Sequence, residues 1–299
     1  MTVSDLLDRT ADTMAAMYLA RRIVTGGIAA ERNRHRRPVP ILNLHRIADT
    51  RLEHRDTLSS HHFRRLVESL QRVYRFISLA DLDRVLATGE NREDLMSLTF
   101  DDSYGCNYVY AVPILRSLRV PATFFVSSGY VDSERTMPHD TKNGVVGLPN
   151  FTSTQLRQMA AEGFEIGSHS VSHHDFSKES DPLVLERELE KSRETLEGIC
   201  GLPVTRFAVP WGSVAHCTPA LLKAAAKAGY ERVYSHFGGR NLIDGGRVGY
   251  VLHRICSQGE PAYVRACLEG YRGRVSYLPD WRHGTPWAPE FHAIDIRRP

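Results

Sequence analysis

The chain has 299 residues, 42% of them hydrophobic, with 38 Lys and Arg against 35 Asp and Glu for a formal net charge of +3. That length and apolar content suit one sizeable domain with a substantial core plus extensions. The near balance of charge gives no argument by itself for a nucleic-acid or other polyanion partner, and no stretch approaches the roughly 20 apolar residues needed to cross a bilayer.

The first segment, residues 1–37, reads as a helical, basic extension. Leu6, Leu7, Met14, Met17, Tyr18 and Leu19 fall on one helical face, and Arg32, Arg34, His35, Arg36 and Arg37 follow before Pro38 and Pro40. Two readings stand side by side: a helix packed on the domain or a subunit followed by a solvated linker, or a weak membrane-surface contact through residues 1–37. Asp5, Asp8 and Asp12 dilute the first turns and favour packing. They also interrupt any signal-peptide-like hydrophobic run. The five cysteines, Cys106, Cys200, Cys217, Cys256 and Cys267, form no Cys-x-x-Cys pair and suit a reducing compartment. The expected location is cytoplasmic, at the inner face of the membrane if the extension binds lipid.

From Pro38 onward strands and helices alternate. Phe63, Leu66, Val67 and Leu70 share a helical face, and Ser78 with Asp81 forms a capping pair before Leu82, Val85 and Leu86. The apolar run Leu95–Phe100 is a strand, and Tyr108 to Leu118 connects it to another at Phe124. Loop 127–152, with Gly129, Pro138, Gly144, Gly147 and Pro149, reads as a binding rim or an irregular surface excursion. Helices are expected from Ser153 to Gly163, from Pro182 to Ile199 and from Thr218 to Gly229, and late strands over Arg232–Ser235 and Val248–Ile255. The rhythm implies an α/β fold with a mostly parallel sheet.

Two motifs carry chemistry. Asp101 and Asp102 end a strand, whose pleating points adjacent carboxylates in different directions, so one can bind a metal while the other moves a proton. His169 and His173 are four apart, a spacing that on a helical turn brings both imidazoles to one ion; with a carboxylate they make a two-His, one-carboxylate set that leaves positions open for water and substrate.

Taken in order, Thr99-Phe100-Asp101-Asp102, Ser168 to His173, Arg206 to Gly212 and Val251-Leu252-His253-Arg254-Ile255 resemble the motifs of the polysaccharide deacetylase family. Ile41 to Arg46 is similar to the family's entry strand and Val120 to Val126 to the strand after the Asp-Asp motif, so the resemblance covers about residues 38–272. It implies an irregular, incomplete (β/α) barrel over residues 38–275, between the extension 1–37 and a tail 276–299 that includes Trp281, His283, Trp287 and His292. Such a barrel gathers strand ends into one mouth.

The resemblance also implies roles. Asp102, His169 and His173 match the ligands of one divalent transition metal, Zn2+ by donor chemistry, with Co2+, Ni2+ or Mn2+ as substitutes. Asp101 matches the general base, Arg206 the arginine that pairs with it, and His253 the general acid; a backbone N–H near Tyr104 would hold the oxyanion. Pro210 and Trp211 match the substrate groove wall, with Trp where Tyr or Phe is commoner. Ser103 stands where the family has glycine, and a positive φ there would strain it. His45, His174 and Asp175 are lesser candidates. The implied reaction is removal of an N-acyl group, N-acetyl first, from an amino sugar, a nucleotide-linked or lipid-linked sugar, or an oligosaccharide. The alternatives are a deformylase or non-sugar amide hydrolase on the same fold, and a catalytically silent sugar-binding or scaffold protein.

Overall fold

The computed structural model describes residues 3–28, 37–49, 57–145, 147–236, 238–239, 241, 250–256 and 259–270, with the side chains of 3–12 and 15 excepted. In chain order the elements are α1 (Val3–Val24), β1 (Ile41–Leu44), β2 (Arg46–Ile47), β3 (Thr57–Leu58), α2 (Ser60–Gln71), β4 (Arg75–Phe76), α3 (Leu79–Thr88), β5 (Leu95–Phe100), α4 (Cys106–Leu118), β6 (Thr123–Val126) and α5 (Pro138–Lys142). There follow α6 (Ser153–Ala161), β7 (Glu165–Ser168), α7 (Pro182–Cys200), β8 (Arg206–Ala208), α8 (Pro219–Lys227), β9 (Arg232–Ser235), β10 (Val251–His253), β11 (Ile255–Cys256) and α9 (Pro261–Leu268).

Local chemistry sets the helix starts. Ser59, Ser78, Thr152, Asp181 and Thr218 each accept a backbone N–H from the first turn that follows, and Thr152 closes a full capping box with Gln155. Gly89 and Gly201 end α3 and α7 in the left-handed conformation that glycine adopts without strain.

The main ladder runs β10-β9-β8-β7-β6-β5-β1-β11, with each of these pairings parallel and β4 added to the first residues of β5. Only Arg254 separates β10 from β11. Both ends of the ladder are therefore one chain segment, and the sheet closes into an irregular (β/α) barrel with a break at Arg254. The expected strand over Val248–Ile255 is in fact split there, and 242–249 lies outside the described residues.

Period-two alternation sorts each strand. Leu42, Leu44, Met96, Leu98, Phe100, Phe124, Phe207, Val233 and Val251 pack outward in the large core beneath the helices. Ile41, Leu95, Phe125, Ala208, Tyr234 and Leu252 face inward in a second, smaller core. Gly167 is required at its inward position, because a Cβ there would lie 2.5 Å from the Phe125 ring.

Helix α1 packs on α9, with Leu19, Ile28 and Ala266 in one cluster and Arg22 donating to the Glu269 carbonyl. The packed face differs from the expected one: Met14 and Met17 are 54% and 66% exposed. Leu6 and Leu7 side chains, the basic residues 32–36 and the tail 276–299 lie outside the described residues.

Candidate active site

The mouth of the barrel is where Asp101, Asp102, His169 and His173 meet. Asp101 follows β5, donates its N–H to Leu44 at 3.0 Å and is 3% exposed. Asp102 then leaves the strand with φ 70°, so a left-handed turn, rather than strand pleating, separates the two carboxylates. The strain expected at Ser103 is absent. Ser103 is not among the positive-φ residues, and its hydroxyl donates to the Ser127 carbonyl at 2.9 Å.

The histidines converge by a similar device. Residues 169–173 are not helical; Ser170 and His173 have φ of 64° and 57°. The buried Glu188 of α7 pins this turn, accepting from Val171 N, Ser172 N and Ser172 Oγ at 3.1, 2.9 and 3.0 Å. His169 Nδ1 donates to the Ala208 carbonyl at 2.8 Å, which leaves the Nε2 lone pair facing the site.

Asp102, His169 and His173 are all buried, and their ligand atoms lie within 4.8 Å of one another. Asp102 Oδ1 is 3.6 Å from His169 Nε2 and 3.3 Å from His173 Nε2. Among the described residues neither carboxylate oxygen of Asp102 has a hydrogen-bond partner, a costly state for a buried anion. Two atoms bound to one tetrahedral ion at about 2.0–2.1 Å are about 3.3–3.4 Å apart. The residues present fit a metal, on donor chemistry and spacing together.

Asp101 is held differently. Arg254 clasps it with Nη1 to Oδ1 at 2.5 Å and Nη2 to Oδ2 at 2.8 Å, and Asn43 Nδ2 donates to Oδ2 at 2.9 Å. Asn43 is fixed in turn, its Oδ1 accepting from Thr99 at 2.8 Å and Arg254 at 3.0 Å. Burial alone would raise the Asp101 pKa, but the Arg254 charge, then His169, outweigh it and hold the carboxyl below the usual range. Burial pushes His169 down to about 4.

Arg206 does not perform the role expected of it. It opens β8, at the opposite end of the strand from the mouth, where it pairs with Asp83 Oδ2 at 2.6 Å and Glu165 Oε1 at 2.8 Å. Arg254 does that work from inside the barrel, sharing the inward parity of Leu252. His253 has the outward parity of Val251; its Nδ1 meets Ser235 Oγ at 2.9 Å, and its backbone N–H and carbonyl are both tied to Asn241.

His45 instead has the inward parity of Ile41 and Asn43, one residue past β1. Burial disfavours its charge, but Cys256, Asp102 and Asp101 outweigh this and raise its pKa. Trp211 stands at the rim, 40% exposed, with its ring 5.7 Å from His139 and 5.2 Å from His173. Pro210 beside it is buried. Tyr104 is buried, its hydroxyl donating to Asp140 Oδ2 at 2.7 Å. Its bridge to Asn150 is made by the N–H groups of Gly105 and Phe151. His174 Nε2 meets Glu179 at 3.1 Å, and Asp175 caps the short helix Phe176–Lys178.

Sequence reasoning missed Arg254, Asn43, Glu188 and His139. The inward parity of Asn43 and Arg254 was available once the strands were registered. His139 lies within loop 127–152 and carries no pattern.

Comparison with known proteins agrees with this geometry. Residues 88–233 match the family model described as polysaccharide deacetylase. The chain is 27% identical over 163 residues to the YxkH protein of Bacillus subtilis, covering 54% of this chain and 51% of that protein, so it spans about half the length of that relative. It is 27% identical over 178 residues to a chitooligosaccharide deacetylase of Bradyrhizobium, covering 58% of this chain and 70% of that one. Among solved structures, the Streptococcus pyogenes deacetylase PplD superposes with a TM-score of 0.63 at 24% identity, covering 77% of this chain and 98% of that chain. IcaB from Ammonifex degensii gives 0.64 at 20% identity, covering 77% and 95%. The barrel is thus shared with both. The Asp-Asp and His-x-x-x-His motifs that meet at the barrel mouth both lie within residues 88–233, the segment that matches the polysaccharide deacetylase family.

Proposed function

We propose that this chain is a metal-dependent hydrolase that removes an N-acyl group, N-acetyl first, from an amino sugar. The observation that carries the reading is the buried Asp102 carboxylate, which accepts no hydrogen bond while two imidazole Nε2 atoms face it. Among similar proteins, one is named a chitooligosaccharide deacetylase and another a peptidoglycan-N-acetylmuramic acid deacetylase.

Asp102, His169 and His173 would hold the metal, Zn2+ by donor set, with Co2+, Ni2+ or Mn2+ as substitutes. A bound ion there supplies Lewis acidity, lowering the pKa of water and polarising an amide carbonyl. Asp101 takes the proton of the attacking water on Oδ1, which accepts from Arg254 Nη1 alone among the hydrogen bonds described. Its depressed pKa keeps it ionised across the working range. His45, turned inward one residue past β1 and raised in pKa by Cys256, Asp102 and Asp101, is the group we assign to protonate the leaving amine. The Tyr104 N–H, outside the bridge to Asn150, faces the oxyanion, and Trp211 offers an indole face to sugar C–H groups.

The substrate we assign is a precursor, a nucleotide-linked, lipid-linked or short oligosaccharide, in the cytoplasm or at the inner membrane face. None of the five cysteines forms a disulfide with another described residue, which fits a reducing compartment, and no helix of the described residues is long and apolar enough to cross a membrane. Residues 38–275 form the catalytic domain in this reading, with 1–37 and 276–299 as extensions.

Elemental analysis together with acetate release from a panel of N-acetylated sugars tests the proposal. About one transition ion per chain is expected, and Asp101→Asn should keep it while losing about 10²–10⁴-fold in turnover. Formate in place of acetate would favour the deformylase alternative. Undiminished turnover in metal-loaded Asp101→Asn would reject the base role.

A further inference from the structure

A chain of buried polar groups runs from the body of the barrel to the metal carboxylate. Arg46 and Asp140, 2% and 1% exposed, pair at 2.8 Å. Tyr104 Oη donates to the other Asp140 oxygen at 2.7 Å, with the Arg46 guanidinium 4.9 Å over its ring. His139 Nε2 lies 2.8 Å from the same phenol oxygen and 3.5 Å from Asp102 Oδ2.

The order of donors fixes the tautomer. A carboxylate has no hydrogen to give, so the phenol hydrogen belongs to the bond with Asp140 and the phenol oxygen must accept from His139. Nε2 therefore carries the hydrogen. That N–H edge faces Asp102 Oδ2, an oxygen with no hydrogen-bond partner, while His169 and His173 face Oδ1.

We propose that His139 is a positioning residue for the metal centre: its Nε2–H is donated to Tyr104 Oη, and the positive N–H edge of the ring, 3.5 Å from Asp102 Oδ2, steers that carboxylate electrostatically so that Oδ1 is presented to the ion. It is not a fourth ligand, since the nitrogen turned toward Asp102 is protonated. His139 sits on α5, within the loop joining β6 to α6, and the Arg46–Asp140–Tyr104 group anchors that helix. Docking of the loop and retention of the metal are then one coupled equilibrium, and each strengthens the other by the same factor. The inference rests on the metal-site reading and adds to it a residue that neither motif contains.

The experiment measures Zn2+ affinity by competition with a chromophoric chelator, independently of turnover, in wild type and in His139→Ala, His139→Gln and Tyr104→Phe. Loss of such a partner typically costs about 10–100-fold in metal affinity, and that is expected for His139→Ala. His139→Gln, whose amide N–H reaches a similar point, should recover most of it. Tyr104→Phe should fall between them, because the imidazole keeps its edge but loses its anchor. Zn2+ should protect residues 131–145 from limited proteolysis in wild type and not in His139→Ala. The Co2+-loaded His139→Gln protein should keep the wild-type visible absorption; a changed coordination number would make His139 a ligand and overturn the proposal. So would a folded His139→Ala chain with wild-type affinity. If wild type itself binds no Zn2+, the metal-site reading fails first.

Discussion

Arg254→Met tests the centre of the site without touching a metal ligand. The Arg254 and Asp101 side chains are 0% and 4% exposed, so solvent does not screen their bidentate contact. The same guanidinium donates to Asn43 Oδ1 at 3.0 Å and to the Ser235 carbonyl at 3.1 Å. Removing one partner of a buried pair strands the other charge and costs about 3–5 kcal/mol, which for a chain of this size is a fall in Tm of about 5–8 °C. The effect should depend on pH. In wild type the Asp101 pKa lies below its unfolded value, so its contribution is present above about pH 3.9 and lost as pH falls through the depressed folded value. Without Arg254, burial dominates and raises the folded pKa above the unfolded one. The variant then loses stability as pH rises through that window, and its deficit against wild type widens from pH 4 to pH 7. Chemical denaturation at several pH values measures this. Asp101→Asn combined with Arg254→Met should recover much of the loss, and Arg206→Met should leave the pH dependence of Asp101 unchanged because Arg206 pairs with Asp83 and Glu165. A deficit that is flat in pH, or a double variant no better than the single one, would refute the reasoning.

Three further outcomes are expected. In metal-free protein, burial holds His169 at about 4 against about 6.5 unfolded, so the unfolded chain binds more protons between those values; stability should rise with pH across that window, and His169→Gln should flatten the slope. His45→Ala should slow hydrolysis of an amide far more than that of an activated aryl ester, whose leaving group needs little protonation, whereas His253→Ala, a brace on Ser235, should slow both equally and lower Tm; the opposite pattern would return the acid role to His253. Ser103→Gly should destabilise by about 1–2 kcal/mol through the lost bond to the Ser127 carbonyl and the added chain freedom; a gain in stability on denaturation would show that serine strains the turn.

What was legible in the sequence follows a physical division. Asp102, His169 and His173 could be read because a metal needs particular donor atoms, and short loops after β5 and β7 keep those donors close to the barrel mouth. The helix starts could be read because a cap is a contact between residues two or three apart. Arg206 and Arg254 are another matter: both are arginines in motifs near strands, and choosing between them requires knowing where each strand begins and which face it turns inward. Arg206 is the first residue of a three-residue strand, so it lies at the floor. Arg254 follows a strand whose register sets Leu252 against Tyr234, and that register turns it inward. Composition and spacing are blind to such parity, since shifting a strand by one residue exchanges its faces without changing its letters. His253 and Arg254 are neighbours in one motif, and that one-residue step turns the first toward Ser235 and the second toward Asp101. His139 is farther still from the text of the sequence, because its place depends on the Arg46–Asp140 pair that docks α5. The site is thus written at two ranges: its ligands in local motifs, and the groups that charge and orient them in strand register and loop docking.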